Sequence, residues 1–259
     1  MKDHLISRRR LIGAGAVGAG GLLLSGCDRL SSSPSFQDFI GHGEDVSFAA
    51  QRLLLRSQPL AREFKPSQIS RIFRANGTSN PDNDEYNTLL KDGFAHWRLS
   101  IDGLVARPMQ FSLADLRAMP ARTQITRHDC VEGWSAIGGW TGVPLGYLLR
   151  KVGLSPRARF VVLRCADALE ATLDGSGQYY ESIDLFDAFH PQTILAYDMN
   201  GAPLPLHHGA PLRLRVERQL GYKQAKYVMR VELTDRLEGI QGGKGGYWED
   251  RGYAWYAGI

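Results

Sequence analysis

The chain has 259 residues, 43% hydrophobic and 22% charged, with a formal net charge of +4. That is enough apolar material for one sizeable core, or a core with a small appendage. Three of the four excess positive charges fall in the first 27 residues, where Lys2, Arg8, Arg9 and Arg10 face only Asp3; the near-neutral remainder argues against a nucleic-acid partner, since such domains carry their surplus cations within the fold.

Ser7-Arg8-Arg9-Arg10-Leu11-Ile12 resembles a twin-arginine export signal, followed by a weakly apolar stretch from Leu11 to Leu24. That stretch is shorter than the roughly 20 strongly apolar residues a bilayer-spanning helix needs. Its five glycines also break a basic amphipathic surface helix. Leu24-Ser25-Gly26-Cys27 resembles a lipobox, in which the cysteine is lipidated and becomes the new first residue. Asp28 behind it is the residue that retains such lipoproteins at the inner membrane in enterobacteria. Residues 1–27 are therefore expected to be an export signal with a lipobox, and the mature chain to be periplasmic. Twin-arginine export carries proteins already folded, often around a cofactor. With Cys27 set aside, Cys130 and Cys165 remain, and in an oxidising compartment they could form a single disulfide.

Residues 28–68 read as a tether and helical extension: Ser31-Ser32-Ser33-Pro34-Ser35 has loop composition, and Val46 to Leu55 carries apolar residues at helical spacing. From Ile69 the texture changes to short strands and turns. Trp97, Leu99 and Ile101 alternate with polar residues up to Gly103, which predicts a half-buried strand. Ser112 stands at the N-cap of a short helix over 113–119. Pro144 to Leu149 predicts another helix ending near Gly153, and Phe160-Val161-Val162-Leu163 a buried strand. In 211–233, Leu212, Leu214 and Val216 alternate with Arg213 and Arg215. After a loop at Gly221-Tyr222-Lys223, Tyr227, Met229, Val231 and Leu233 alternate with Lys226 and Arg230. This predicts two strands with one cationic face. Without regular βαβ alternation, 69–259 reads as one α+β domain.

His128-Asp129-Cys130-Val131-Glu132-Gly133-Trp134-Ser135 places a cysteine in a loop-forming run, a candidate metal ligand or nucleophile. A hydrolase pairing Cys130 with His128 is one reading. Zinc is disfavoured, because no C-x-x-C or H-E-x-x-H is present. His207 and His208 are adjacent, and on a strand they would point to opposite faces. A metal that brings most of its own ligands needs only one protein thiolate.

The segment 130–135, followed by Trp140-Thr141-Gly142-Val143-Pro144-Leu145, resembles the molybdenum-ligand segment of the sulfite oxidase family. The similarity is nearest to the bacterial branch with the periplasmic methionine-sulfoxide reductase catalytic subunit. His208-Gly209-Ala210-Pro211-Leu212-Arg213 and Gly221-Tyr222-Lys223-Gln224-Ala225-Lys226 resemble its second signature, with Asn200 to Pro205 in the expected place. The resemblance runs from about Arg71 to Leu233.

It implies a single mixed α+β fold holding molybdenum-molybdopterin, with two dithiolene sulfurs and Cys130 on the metal. Arg213, His208, Lys223 and Lys226 would hold the pterin and its phosphate, with backbone amides at Gly221 and Tyr222 close by. Asn76 and Gly77 fall where the family contacts pterin and substrate, Arg74 stands one residue further from the asparagine than in sulfite oxidases, Cys165 falls beside the pterin as a pocket wall, and Tyr179 aligns with an active-site tyrosine. Cys130 and Tyr179 are thus the expected catalytic residues. Trp134 and Ser135 stand where sulfite oxidases place arginines, so an S-oxide or N-oxide is expected ahead of sulfite. No haem attachment motif, no immunoglobulin-like dimerisation domain and hence a monomer are expected. Electrons would come from a membrane haem subunit or a soluble cytochrome. From another class, a non-catalytic ligand-binding lipoprotein would share the signal and lipobox without explaining the cysteine motif.

Overall fold

The computed structural model describes residues 33–259, so the export signal, the lipobox and Cys27 lie outside the described residues. The chain divides into one unit ending at Ser57 and another running Gln58–Ile259. In the first, α1 (Pro34–Leu54) starts earlier than its apolar spacing suggests. Ser33-Pro34 acts as a helix start and not as loop, because the Ser33 hydroxyl accepts from the Phe36 amide and proline is pre-set for the first helical position. No helix among the described residues is long and apolar enough to cross a membrane.

The second unit takes in residues 58–68, eleven positions before the texture change at Ile69. The Phe64 amide donates to Ile125 O at 2.8 Å, and the Gln192 carboxamide accepts from Ala61 N at 2.7 Å, so this segment is laid against the domain. Asn83 caps α2 (Asp84–Lys91), accepting from Tyr86 N at 2.7 Å. β1 (Arg98–Gly103) buries Leu99 and Ile101 as its alternation requires. β2 (Met109–Ser112) runs into α3 (Leu113–Ala118), where Ser112 and Asp115 form a reciprocal capping box.

β3 (Arg122–Asp129) and β4 (Ser135–Pro144) form a hairpin, and α4 (Leu145–Val152) follows. Next come β5 (Phe160–Ala168), β6 (Gln178–Asp184), the short α5 (Leu185–Ala188), β7 (Ile194–Met199) and β8 (Ala202–Pro203). The last strands are β9 (Arg213–Arg215) and β10 (Val228–Thr234). One sheet has the order β2-β1-β10-β5-β6, with β1 and β10 parallel; the other has β3-β4-β7-β8, with β9 paired to β7. The mixed α+β class is as expected, and no immunoglobulin-like sandwich follows β10 among the described residues.

Both sheets share one core, in which Val161, Leu163 and Val231 meet Leu195 and Leu214 together with Leu148 and Leu149 of α4. Burying each such side chain contributes about 1.5–3 kcal/mol. Two expectations change. His207 and His208 lie in a 3-10 turn and not on a strand, so their rings come within 4.2 Å of each other. The predicted single cationic face is also divided: Arg213 and Arg215 of β9 are fully buried over the Trp140 indole, whereas Arg230 of β10 lies in the other sheet and pairs with Asp102.

Candidate active site

Cys130 sits at the tip of the β3–β4 hairpin. Its amide donates to Trp134 O at 2.9 Å and its carbonyl accepts from Gly133 N at 3.0 Å. Gly133 closes this turn at φ +83°, a conformation L side chains rarely adopt. The Asp129 carboxylate clamps both strands at the base of the loop, accepting from Ser135 Oγ at 2.5 Å and Arg127 Nε at 2.9 Å. The thiol is therefore presented by a rigid element. Burial raises its pKa, against the opposing pull of the Glu132 backbone amide. Cys130 and Cys165 are both free, so the disulfide reading does not hold.

His128 points inward from β3 and is fully buried. Its Nδ1 lies 3.1 Å from Arg215 Nη1, and since a guanidinium can only donate, Nδ1 accepts and the ring proton sits on Nε2. Burial first, then Arg215 and Arg213, hold the imidazole well below its ordinary pKa. No hydrogen bond joins it to Cys130 among the described residues. A cysteine–histidine hydrolase has no base here.

One cleft of about 670 Å³, counting the part open to solvent, gathers most of the expected site. Asn76, Gly77, Cys130, Tyr179, Gly221, Tyr222 and Lys226 line it. Thr78, Glu132, Asp167, Gln224, Trp248 and Tyr253 line it too. Of these, Asp167 stands two residues beyond Cys165 and Thr78 directly after Gly77, so both carried a positional signal; Tyr253 carried none. Thr78 fastens the floor: its hydroxyl donates to Asp167, while its carbonyl accepts from Lys226 Nζ and, at 3.0 Å, from Tyr227 OH. The Tyr179 hydroxyl donates to Tyr222 O at 2.5 Å, which leaves its ring as the cleft-facing part.

Beside this cleft lies a surplus of positive charge. Arg215 is neutralised by Glu217 at 2.6 Å, whereas Arg213 has no ion pair among the described residues and donates only to His208 O and Gln224 O. Burial and then Arg215 lower the Arg213 pKa to about 9. Lys226 falls to about 7 through burial and Arg213, and His208 to about 3 through burial and Arg213. Arg213 Nε and His208 Nδ1 are buried without hydrogen-bond partners, as is Asn76 Oδ1 on the cleft wall. Unpaired buried charge costs several kcal/mol, so this cluster is built for an anion supplied from outside the chain.

Three expected contacts lie elsewhere. Lys223 is fully buried between Glu181 at 2.6 Å and Glu249 at 2.5 Å, which use up its ammonium. Burial alone would lower Lys223, yet the two carboxylates hold it above its ordinary value. It is a structural cation and not a pterin donor, because β6 and the C-terminal segment each bring a carboxylate to it. Cys165 is buried in the core and lines a second cavity with Tyr86, Gln178 and Met229. Arg74 is exposed. No cluster of three or more metal-ligating His, Cys, Asp or Glu side chains occurs among the described residues. A metal here must bring its other ligands, and the Arg213 guanidinium, without an ion pair among the described residues, suits a phosphate-bearing chelate.

A family model for the oxidoreductase molybdopterin-binding domain matches residues 87–239. This chain belongs to the molybdopterin-binding oxidoreductases, and it is an enzyme. A relative from Azospira oryzae, a proposed protein-methionine-sulfoxide reductase subunit YedZ1, is 37% identical over 240 residues, 92% of this chain and 83% of that protein. The protein-methionine-sulfoxide reductase catalytic subunit MsrP of Ralstonia nicotianae is 32% identical over 90% of this chain and 71% of its own length. A solved structure, the sulfane dehydrogenase SoxCD of Paracoccus pantotrophus, is 25% identical with a TM-score of 0.47, covering 54% of this chain and 38% of that one. The residues present fit a molybdopterin: one hairpin-tip thiol, one buried guanidinium without an ion pair among the described residues and an orphaned carboxamide oxygen.

Proposed function

We propose that the chain is an exported molybdenum-molybdopterin reductase of S-oxides. The observation that carries this reading is the chemistry of the cleft wall. Its acids are Glu132 and Asp167, its rings Tyr179, Tyr222, Trp248 and Tyr253, and Lys226 is its one cation. With Lys226 committed to the phosphate, such a wall offers a dianion like sulfite no free cation, and its rings accept a neutral polar molecule with apolar arms. The relatives named as methionine-sulfoxide reductase subunits support the same class.

The cofactor, when bound, would supply two-electron oxygen-atom transfer. The balance is one S-oxide, two protons and two electrons to one thioether and one water. Cys130 would hold the metal from the hairpin tip. Arg213, His208 and Lys226 would hold the phosphate, and Asn76, Gly77, Gly221 and Tyr222 would hold the pterin. The Tyr179 ring lines the substrate side. Electrons enter from a separate redox protein, a membrane haem subunit or soluble cytochrome. The twin-arginine-like segment and the lipobox at Cys27 support a periplasmic chain tethered at the inner membrane.

Purification from the periplasm, followed by molybdenum quantification and a dye-coupled screen of sulfoxides, N-oxides and sulfite, tests the reading. Stoichiometric molybdenum with turnover of sulfoxides is expected. Absence of molybdenum after expression with intact cofactor synthesis points to a non-catalytic ligand-binding lipoprotein, and turnover of sulfite alone reverses the substrate class.

A further inference from the structure

One end of the sheet β2-β1-β10-β5-β6 is strongly basic. Five exposed cations meet there: Arg107, Lys151, Arg157, Arg159 and Arg236. The backbone gathers them. The Leu104 amide donates to Leu233 O at 2.7 Å and its carbonyl accepts from Ser155 N at 3.0 Å, which draws together the loop after β1, the loop after α4 and the end of β10. Arg107 Nη2 donates to Lys151 O at 3.1 Å. The Arg159 amide donates to Thr234 O at 2.8 Å, and the Arg236 amide to the Thr234 hydroxyl at 3.3 Å. Two carboxylates sit among these cations. Asp235 is shared by Arg157 at 2.5 Å and Arg236 at 3.3 Å, while Asp184 caps α5 by accepting from Asp187 N at 2.9 Å. The surplus of positive charge is therefore concentrated here, on a chain whose residues after Cys27 are close to neutral.

This end and the cleft lie at opposite ends of the same strands. β5 starts at Phe160, beside Arg159, and brings Asp167 to the cleft. β6 leaves the cleft with Tyr179 and ends at Asp184, and β10 follows Lys226 and ends at Thr234. The extended chain from Phe160 to Asp167 spans about 23 Å. The basic end offers charge without an apolar anchor: none of the exposed large hydrophobic side chains among the described residues falls within 103–108, 150–160 or 234–238. A protein partner is gripped through apolar and aromatic anchors inside a polar rim, whereas an anionic bilayer surface needs only cations held at its headgroups. Four of the five cations are arginines, whose paired N–H donors match a phosphate.

We propose that this basic end is a docking surface for anionic phospholipid headgroups, and that it seats the domain on the membrane with the cleft turned to the aqueous side. The export and tether proposed above decide only which membrane is met; the contact itself belongs to the folded domain. The cleft stays accessible while the domain is docked.

The test uses the molybdenum-loaded chain from Asp28 on, made without lipid and without residues 1–27, so that neither Cys27 nor Arg8, Arg9 and Arg10 takes part. Co-sedimentation is measured with vesicles of phosphatidylcholine alone and with vesicles in which about a third is phosphatidylglycerol. Binding to the mixed vesicles only is expected, weakening steeply between about 0.05 and about 0.5 M salt. Lys151→Gln with Arg236→Gln should weaken partition roughly twentyfold, about fivefold per cation, with the melting temperature unchanged. Lys65→Gln with Lys91→Gln makes the same change of net charge elsewhere on the surface and should bind as the parent does. Amide exchange on the mixed vesicles should slow over 104–107, 151–159 and 234–236, and stay unchanged over 76–78 and 130–133. Absence of binding, equal binding to neutral vesicles, equal loss in both double variants, or slowed exchange at the cleft loops overturns the proposal. Tighter retention on immobilised polyglutamate than on the mixed vesicles overturns it in favour of an acidic protein partner. None of these readouts uses turnover or export, so they stand apart from both readings above.

Discussion

Arg213 and Arg215 lie over the same indole, that of Trp140, at 4.9 and 4.3 Å, yet only Arg215 has a carboxylate beside it. The unmatched guanidinium is the anchor proposed for the phosphate of the pterin. Arg213→Met should therefore leave the metal-free chain no less stable, because replacing a buried ion by an apolar side chain is neutral to stabilising. Molybdenum retained on purification should fall at least about tenfold, the loss of a charge-assisted phosphate contact. Thermal melts of the metal-free chain and metal analysis of the loaded one check the two halves.

Lys226 makes the pH dependence of the metal-free chain predictable. It stands at about 7 against an ordinary 10.5, depressed by burial and by Arg213. Between those values the unfolded chain binds the proton and the folded chain does not, so stability rises with pH, by at most about 1.4 kcal/mol per unit. The contribution is complete above 10.5 and is lost as pH falls to about 7. Denaturant unfolding at about pH 7 and about pH 8.5, before the Cys130 and Cys165 thiols ionise in the unfolded chain, should show the rise, and Lys226→Met should flatten it.

Lys223 should behave in the opposite sense. Removing it as Lys223→Met leaves Glu181 and Glu249 buried together, and breaking such a cluster costs about 3–5 kcal/mol. Adding Glu181→Gln and Glu249→Gln should recover most of the loss in denaturant midpoint. A Lys223→Met protein as stable as the parent but short of cofactor would return the lysine to the pterin.

The two free cysteines should separate cleanly. Cys130→Ser is expected to abolish turnover with its melting temperature nearly unchanged, since the thiol sits on a loop fixed by backbone and by Asp129. Cys165→Ala should keep activity and lose about 1 kcal/mol, the cost of a small core deletion.

Much of this was readable along the chain where the signal is local. The Ser112 cap, the alternation through Leu99 and Ile101, and the Cys130 loop depend on neighbours a few residues away. What was not readable depended on a second layer. Alternation at Arg213 and Arg215 gives a cationic face, but whether that face meets water or Trp140 is decided by β4, some seventy residues earlier. Lys223 looked like a phosphate donor because its two carboxylates come from β6 and from the C-terminal segment. Tyr253 reaches the cleft from the same C-terminal segment as Trp248, five residues before it.

Gly221 leaves no room for a methyl group: a Cβ there would stand 2.5 Å from Nε2 of His128. The turn that carries Tyr222 and the strand that delivers Cys130 are thus in direct register through one atom-sized gap. Divergence at either position is bound to the other: an alanine at 221 presses on the ring at 128, which accepts from Arg215 beside the two bonds that Glu217 makes to the same guanidinium.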